Sequence, residues 1–329
     1  MRVAGTLQRL DEQRGPRRQD DLLAARVGGW CVAAALVVLV FKLGAVSSPG
    51  YGPPSWKPWT WRPGLLFRNT TTNGGDTGAH VWTPDFLRRR LLPALRTSGW
   101  SKDWYAGFPV LRFYFPGPMW VITLLGLVIP ADVAFKLVSV SGIVALPFAV
   151  MSLARAAGLG RTSVHLFALA TVVFLYDPHY DILGGNILST MAGEFSFSIG
   201  LAVAVAFLAA LLRMLRAHGS RWLPALLLGV CVVCHILPAL FAGVAATWFV
   251  IAHLGAVERA ARWAGVRDCA VVAVLGALLP SFWTFPFAPP TRRTRTTWDG
   301  NAAPTCSARC SHRRRTRPPP VRRSWVPWC

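Results

Sequence analysis

Charged side chains are scarce in this sequence, and their scarcity decides the class of protein. Only 15% of the 329 residues are charged, whereas 53% are hydrophobic and the mean hydropathy is +0.41. A soluble domain needs more polar surface than this composition supplies. The sequence therefore predicts an all-α fold, a polytopic transmembrane helix bundle in the cell membrane, with the lipid bilayer as a partner.

Acidic residues are scarcer still, with 14 Asp and Glu against 35 Lys and Arg and a formal net charge of +21. This charge does not predict nucleic-acid binding, because the Arg residues form short clusters between apolar runs, as connections beside an anionic leaflet do. Lysine is almost absent: four Lys stand against 31 Arg, while Ala, Gly and Pro are abundant. This usage is typical of a GC-rich bacterial coding sequence.

The sequence also lacks a cysteine pattern that would predict a disulfide framework. Four of its seven Cys lie inside apolar segments, where a thiol acts as a small hydrophobic side chain. Residues 231–235, CVVCH, match the attachment motif for haem c, but a continuous apolar run surrounds them, so we expect no haem. The four Cys in apolar segments are Cys31, Cys231, Cys234 and Cys269.

Apolar runs divide the chain into segments. Residues 1–26 form a predicted cytoplasmic tail, residues 27–46 a first transmembrane helix, and residues 47–130 an outer loop that begins with a Trp-rich linker. Residues 131–287 form a predicted multi-span helical bundle. Its spans are residues 131–151, 163–176, 195–212, 222–234, 237–254 and 269–287, of which the second and fourth are short for the about 20 residues that a crossing needs.

Two segments of the outer loop are predicted to meet the membrane without crossing it. Residues 85–96, DFLRRRLLPALR, carry apolar side chains opposite an Arg face, which is typical of a helix lying in the membrane interface. Residues 108–130 are apolar but interrupted by prolines, so a re-entrant segment is predicted there. The apolar face of the first segment consists of Phe86, Leu87, Leu91, Leu92 and Leu95.

Three short connections rich in Arg predict the sidedness of the spans. They are residues 155–161, 213–221 and 259–267, and positive short connections mark the cytoplasmic side. The N-terminus is then cytoplasmic, and residues 108–151 cross only once. The same parity places a set of polar residues on the outer side: Asp76, His80, Asp103, Asp177, Asp181, Asn186, Glu194 and His235.

Residues 288–329 differ in kind from the rest of the chain. They hold ten Arg, seven Pro, three Cys and one acid, without a hydrophobic period. Such a segment is either a disordered basic tail or the product of GC-rich DNA read out of frame. The abrupt change after the apolar run SFWTFPF favours the frameshift.

Several spaced blocks carry a family resemblance. They are GGDTGAHVWTPDFLRRRLLP, GWSKDWYAGFPVLRFYFPGP, FKLVSVSGIVALPFAV and GGNILSTMAGEFSFS. From residue 69 to residue 287 the chain resembles the bacterial polytopic membrane proteins named 6-pyruvoyl-tetrahydropterin synthase-related, and its wider architecture is similar to the GT-C glycosyltransferases. The resemblance implies transfer of a sugar from a polyprenyl-phosphate carrier to an outer-face acceptor, with a catalytic acid in the first outer loop. The closely spaced His triad of the soluble pterin synthase is absent from this sequence.

Asp76 is the predicted catalytic base. Gly74 and Gly75 let the backbone turn tightly and expose its carboxylate, and the resemblance implies that Asp76 takes a proton from the acceptor hydroxyl. The alternative is that Asp76 caps the helix that follows it. His80 either orients a phosphate or caps the loop. Asp76 is not part of an Asp-x-Asp pair, so no metal site is predicted, although a divalent cation stays open as a cofactor.

A second acid and two cations extend the predicted site. Glu194 is the other catalytic candidate, because it is an acid at the start of a span. Arg112 and Lys136 lie in apolar stretches, where a cation needs a partner, and are predicted to bind the donor phosphate. Asn186 is predicted to bind substrate as well. Lipid headgroups are the expected partners of the three successive arginines Arg88, Arg89 and Arg90.

Two alternatives to the glycosyltransferase are a transporter or flippase of lipid-linked substrates and an inactive truncated membrane protein. A transporter is expected to show an internal repeat and polar residues at mid-membrane. The sequence shows neither feature, because its polar groups cluster at one face of the predicted bundle. This distribution favours the enzyme.

Overall fold

The computed structural model describes residues 26–34 and 63–285, apart from residues 33, 73–74, 105–106, 178, 180–183 and 218. Residues 26–32 are helical, which is the start of the predicted first transmembrane helix. Most of the cytoplasmic tail, the rest of that helix, the Trp-rich linker, Asp181 and the tail 288–329 lie outside the described residues.

The described chain is mostly helical, which confirms the predicted all-α class in its coarse form. The helices are α1 Thr77–Phe86, α2 Pro116–Leu125, α3 Ala131–Ala156, α4 Arg161–Leu175, α5 Phe195–Ala217, α6 Trp222–Cys234, α7 Ile236–Ala256, α8 Arg259–Leu278 and α9 Ser281–Thr284. Proline marks several helix starts, because its fixed φ suits the first turn. Thus α2 begins at Pro116, α3 follows Pro130 and α9 follows Pro280.

Shorter elements connect these helices. Leu87–Leu91 and Leu92–Ala94 continue α1 as a wide and then a tight helical turn, and Ile187–Ser189 and Thr190–Glu194 lead into α5. Pro63–Phe67 is a short 3₁₀ helix. Strands β1 Gly99–Ser101 and β2 Phe108–Val110 pair in antiparallel register, with Trp100 opposite Pro109.

Within the described residues, three helical segments are long and apolar enough to cross a membrane: Ala131–Ala156, Ile187–Arg216 and Ile236–Ala256. They support the predicted class of membrane protein by length and composition. The second is 67% buried along its most apolar stretch, whereas the third is only 17% buried. The side chains of Ile236–Ala256 are therefore the ones that have most apolar surface left for a bilayer to cover.

Three of the predicted spans are not long apolar helices in the structure. Arg161–Leu175 has 15 residues and Trp222–Cys234 has 13, so neither extends to spanning length. The span predicted over residues 269–287 is wrong in its bounds. Its helix is Arg259–Leu278, which starts inside the Arg-rich connection and ends before Pro280.

Helices α3 and α5 pack extensively against each other and run parallel. A Cβ on Gly142, at the middle of α3, would lie 2.4 Å from the backbone nitrogen of Ile199 in the first turns of α5, so only glycine allows this approach. Near their ends, Arg216 donates a 2.7 Å hydrogen bond to the carbonyl of Ala156. A cation at the last carbonyls of a helix is favourable. These two long helices thus approach each other closely at Gly142 and are joined by a hydrogen bond at their ends.

Charged residues lie at two opposite ends of the helices. Besides the Arg216–Ala156 bond, Arg221 pairs with Asp268 at 3.0 Å. These two contacts gather the three Arg-rich connections at one end of the helices. Glu194, at the start of α5, lies at the opposite end. The structure thus brings together the connections predicted to share a side, and the cytoplasmic location of that side remains a prediction.

The predicted interfacial helix is wrong for two of its leucines. Leu87 and Leu91 are fully buried among Val110, Met119 and Phe195, so protein rather than lipid covers them. Of the predicted apolar face, Leu95 is the one that remains almost completely exposed, at 95%. The proline-interrupted residues 108–130 form β2 and the ten-residue α2, and their re-entrant character remains a prediction.

Candidate functional site at the start of helix α5

The loop that carries Asp76 docks on the wide turn Thr190–Glu194. The backbone N–H of Asp76 donates to the carbonyl of Ala192 at 2.7 Å, and the Thr77 hydroxyl donates to the carbonyl of Met191 at 3.1 Å. Two glycines permit this approach. Gly75 has a φ of +48°, and a Cβ there would lie 2.2 Å from the Ala192 oxygen. Gly193 has a φ of +130°, and a Cβ there would lie 3.0 Å from the Cβ of Asp76.

Asp76 is the residue before α1, but its carboxylate does not cap that helix. The main-chain carbonyl of Asp76 accepts hydrogen bonds from Ala79 at 3.0 Å and His80 at 3.3 Å, while its side chain makes no capping bond. The residue is exposed. The alternative of a side-chain cap is therefore not realised, and the carboxylate can act on another molecule.

Glu194 is the second acid near the docked turn. It is half-buried at the last residue of Thr190–Glu194, and its charge and that of Asp76 lie close enough to act on each other. The structure thus brings together the two acids that the sequence predicted as catalytic. Neighbouring carboxylates can divide the roles of proton acceptor and hydrogen-bond partner in one reaction. We call Asp76, Glu194, His80, Tyr114 and Ser196 the carboxylate cluster.

His80 lies beneath the two acids with its ring buried. Its Nε2 is 3.2 Å from the Tyr114 hydroxyl, and its ring lies edge-on to Phe195 with centroids 5.4 Å apart. Burial lowers the pKa of His80 to about 4, against the opposing charge of Asp76. The imidazole is therefore neutral at physiological pH, when one ring nitrogen donates and the other accepts.

Tyr114 and Ser196 belong to the cluster, although sequence reasoning did not select them. Tyr114 precedes α2, and burial, with the charges of Glu194 and Asp76, raises the pKa of its phenol well above the ordinary value. The fully buried Ser196 hydroxyl lies beside the Tyr114 phenol, and the interaction of the two side chains opposes part of this rise in the pKa of Tyr114. The only signal for Tyr114 is an aromatic run, FYF, which carries no chemistry by itself.

Lys136 is held by the chain segment that precedes the Asp76 loop. It is buried on α3, and its ammonium donates to the carbonyl of Arg68 and to the Thr70 hydroxyl. Thr71 in the same segment contacts Asp132 at 3.4 Å. Lys136 therefore fastens the chain that leads to the Asp76 loop, a role that the predicted phosphate binding did not anticipate.

The Asn186 side chain forms hydrogen bonds with the neighbouring backbone. Its side-chain oxygen caps the helical turn by accepting from Ser189 at 2.9 Å, and its amide nitrogen donates to His179 at 2.6 Å and Asp177 at 3.3 Å. At 3% exposure it presents little surface to a substrate. The structure gives Asn186 the role of a helix cap.

The remaining cations of the predicted site lie between residues 88 and 112. Arg112 is partly buried on the turn after β2, two residues before Tyr114, which makes it the predicted phosphate ligand nearest in sequence to the cluster. Arg88 and Arg89 pair with Asp85 at 3.1 and 2.8 Å on an exposed surface. Exposed pairs of this kind contribute about 0–1 kcal/mol.

The CVVCH segment is part of the helix core. Cys231 is fully buried and its thiol contacts the carbonyl of Gly200 at 3.4 Å, while Cys234 is 5% exposed. His235 caps α7 through Nδ1, which accepts from Leu237 at 3.2 Å. Among the residues that the structure describes, no group of three His, Cys, Asp or Glu side chains is placed to hold a metal ion.

No family model matches this chain, and no match was found among the curated proteins or the solved structures.

Proposed function

We propose that the chain is a multi-pass membrane glycosyltransferase of the GT-C type, similar to the 6-pyruvoyl-tetrahydropterin synthase-related proteins of bacteria. It transfers a sugar from a polyprenyl-phosphate carrier to an acceptor hydroxyl. The observation that supports this proposal is the meeting of Asp76 and Glu194 at one end of the candidate spans. A carboxylate at the end of membrane helices can reach a substrate whose lipid chain stays in the bilayer.

In this reaction the acceptor oxygen attacks the anomeric carbon of the sugar. The bond between that carbon and the phosphate oxygen breaks, and the phosphate leaves with the carrier lipid. Asp76 accepts the proton of the acceptor hydroxyl as the new carbon–oxygen bond forms. A positioned general base of this kind contributes about 10²–10⁴-fold to the rate. Glu194 holds the acceptor by hydrogen bonding.

Arg112 is the proposed ligand of the donor phosphate. A guanidinium presents a planar pair of donors that suits a phosphate. Lys136 is assigned a different role, because it is buried and its ammonium fastens the segment of Arg68 and Thr70. We expect Arg112→Ala to raise KM for the donor with a smaller effect on kcat.

Transfer from radiolabelled polyprenyl-phosphate sugars to alkyl glycosides, in proteoliposomes, tests the proposal. Asp76→Asn keeps the shape of the side chain but removes the proton acceptor, so turnover is expected to fall about a hundredfold. Asp85→Asn is the matched control, because Asp85 is half exposed and pairs with Arg88 and Arg89 on the surface. Its turnover is expected to stay within about threefold of the wild type.

The same assay is run on the printed chain and on the chain produced by restoring the reading frame near codon 288. Transfer by neither form would overturn the proposal. Undiminished turnover in Asp76→Asn would reject Asp76 as the base, and Glu194→Gln would then be measured next.

A further inference from the structure

Helix α9 is a single turn that directs one indole into the protein. Pro280 begins the turn, and its carbonyl accepts hydrogen bonds from the backbone N–H groups of Trp283 and Thr284, both at 2.9 Å. Trp283 is buried, at 6% exposure, whereas its neighbours Phe282 and Phe285 are 49% and 77% exposed. Of the three aromatic side chains in residues 281–285, the indole is therefore the one that packs against the rest of the chain.

The indole of Trp283 is bonded to the outer loop. Its Nε1–H donates to the main-chain carbonyl of Leu111 at 3.0 Å, and the two residues are 172 positions apart in the chain. Leu111 is buried as well, at 1% exposure. A buried carbonyl that loses its donor has no water to replace it, so this bond holds the outer loop and α9 together.

Leu111 accepts this bond in a conformation that leucine rarely adopts. The turn of residues 109–112 is closed by the Arg112 N–H, which donates to the Pro109 carbonyl at 3.2 Å, and Leu111 is its third residue, with a φ of +56°. A positive φ at this position of a turn favours glycine or asparagine. A leucine there is strained, and such strain persists where the surroundings hold the backbone in place. The bond from Trp283 supplies such a hold.

Trp283 contacts the chain on both sides of Arg112. Besides the bond to Leu111, its ring packs edge-on against Phe115, with centroids 5.9 Å apart. The residues between these two contacts include Arg112, the proposed ligand of the donor phosphate, and Tyr114 of the carboxylate cluster. The indole thus fixes both ends of the segment that presents these side chains.

We propose that Trp283 is a positioning residue for donor binding, which holds the turn of residues 109–112 so that the Arg112 guanidinium meets the donor phosphate. This inference rests on the proposed glycosyltransferase function and adds to its donor site a residue distant in sequence. A guanidinium binds phosphate through a planar pair of donors, so its orientation decides the affinity together with its charge. Release of the turn would misalign this pair but leave Asp76 in place, because the Asp76 loop is docked on Ala192.

Removal of the indole N–H tests the proposal. Trp283→Phe removes the donor group with part of the ring, whereas replacement of Trp283 by 3-benzothienylalanine exchanges the N–H for sulfur and nearly keeps the shape. Both variants are expected to raise KM for the sugar donor about three- to tenfold, the effect of one lost hydrogen bond, with kcat and KM for the acceptor little changed. Trp263→Phe is the control, because the Trp263 indole is 77% exposed on α8.

A double variant tests whether Trp283 acts through Arg112. In Arg112→Ala no guanidinium is left to align, so Trp283→Phe should raise KM for the donor no further in that background. A residue that only stabilised the fold would instead lower the active fraction, and with it kcat, in either background. Effects on the donor KM that multiply in the double variant, or a wild-type donor KM in both Trp283 variants, would overturn the proposal.

A labelling experiment measures the hold on the turn without any turnover. Arg112→Cys is made in a background without native Cys, and its reaction with N-ethylmaleimide is timed in detergent. Position 112 is partly buried, so release of the turn by Trp283→Phe should raise the rate by roughly threefold or more. Lys102→Cys, at an exposed position between β1 and β2, should keep its rate. An equal rate at Arg112→Cys with and without the indole would contradict the hold.

The two proposals fail separately. If Arg112→Ala raises the donor KM and the Trp283 variants do not, donor binding by Arg112 stands and the role of Trp283 is rejected. If Trp283→Phe speeds the labelling while the donor KM stays unchanged in all variants, the indole holds the turn, but donor positioning is rejected together with the role of Arg112. An absence of transfer by every form of the chain rejects the glycosyltransferase and, with it, donor positioning.

Discussion

The backbone N–H of Asp76 lies 2.7 Å from the carbonyl oxygen of Ala192, and this hydrogen bond joins the outer loop to the turn that begins helix α5. The bond forms between two glycine-flanked segments whose backbones nearly touch. It therefore sets the separation of Asp76 and Glu194 through the main chain, independently of how either carboxylate is charged.

A methyl group at Gly193 should disturb this docking. Its φ is +130°, and a Cβ would lie 3.0 Å from the Cβ of Asp76. We expect Gly193→Ala to destabilise the protein by about 1–3 kcal/mol, measured as the thermal unfolding midpoint in detergent. Gly243→Ala is the control, because Gly243 is on an exposed helical surface with no neighbour within 4 Å. An unchanged midpoint in Gly193→Ala would show that the turn adapts.

Stability should fall in acid because of His80. Burial lowers its pKa to about 4 from the ordinary 6.5, so the unfolded chain binds the proton first as the pH drops. The folded state then loses stability between pH 6.5 and 4, by about 3 kcal/mol in all. His80→Gln should lose less stability over that interval than the wild type. The control variant is His253→Gln, in the last turn of α7. An identical dependence of stability on pH in the wild type, His80→Gln and His253→Gln would contradict the prediction.

Removing the Lys136 ammonium should loosen the chain before the Asp76 loop. Lys136→Met removes the buried ammonium that donates to the Arg68 carbonyl and to the Thr70 hydroxyl, and hydrogen bonds that involve a charged group contribute about 1.5–3 kcal/mol. The unfolding midpoint should therefore decrease, while Lys102→Met, on an exposed position of the outer loop, should leave it unchanged. If Lys136→Met instead weakens donor binding without loss of stability, Lys136 would be assigned as a ligand of the donor phosphate.

The sidedness of the two charged ends is testable in intact cells. A membrane-impermeant maleimide should label Gly78→Cys from outside and reach Gly160→Cys only after the membrane is permeabilised, because the Arg-rich end is predicted to be cytoplasmic. Both positions are exposed. Labelling of Gly160→Cys in unbroken cells would reverse the predicted orientation.

Apolar runs predicted where the long helices lie, because continuous hydrophobic composition requires burial in protein or lipid. They could not predict which of the two covers a given side chain. Leu87 and Leu91 fit a lipid-facing stripe as well as they fit the protein core in which they lie. That choice depends on β2 and α2, whose positions are set by contacts distant in sequence.

For the site, the sequence predicted the acids but not their surroundings. Asp76 and Glu194 stand out because an acid is rare in an apolar chain. Tyr114 does not stand out, since its role comes from its 3.2 Å contact with His80 across the fold. Asn186 shows the opposite case. The sequence predicted that it binds substrate, but its side chain forms hydrogen bonds with Ser189 and with the preceding loop.

The docking of the Asp76 loop has a consequence for biosynthesis. Thr77 and Met191, which bond each other in the docked site, are 114 positions apart in the chain. While the ribosome is still translating the residues between them, the turn Thr190–Glu194 has not been made. The Asp76 loop then has nothing to dock on, and Glu194 is absent. The carboxylate cluster is assembled only when the start of α5 emerges, so a nascent chain that stops before Glu194 carries Asp76 without the second acid.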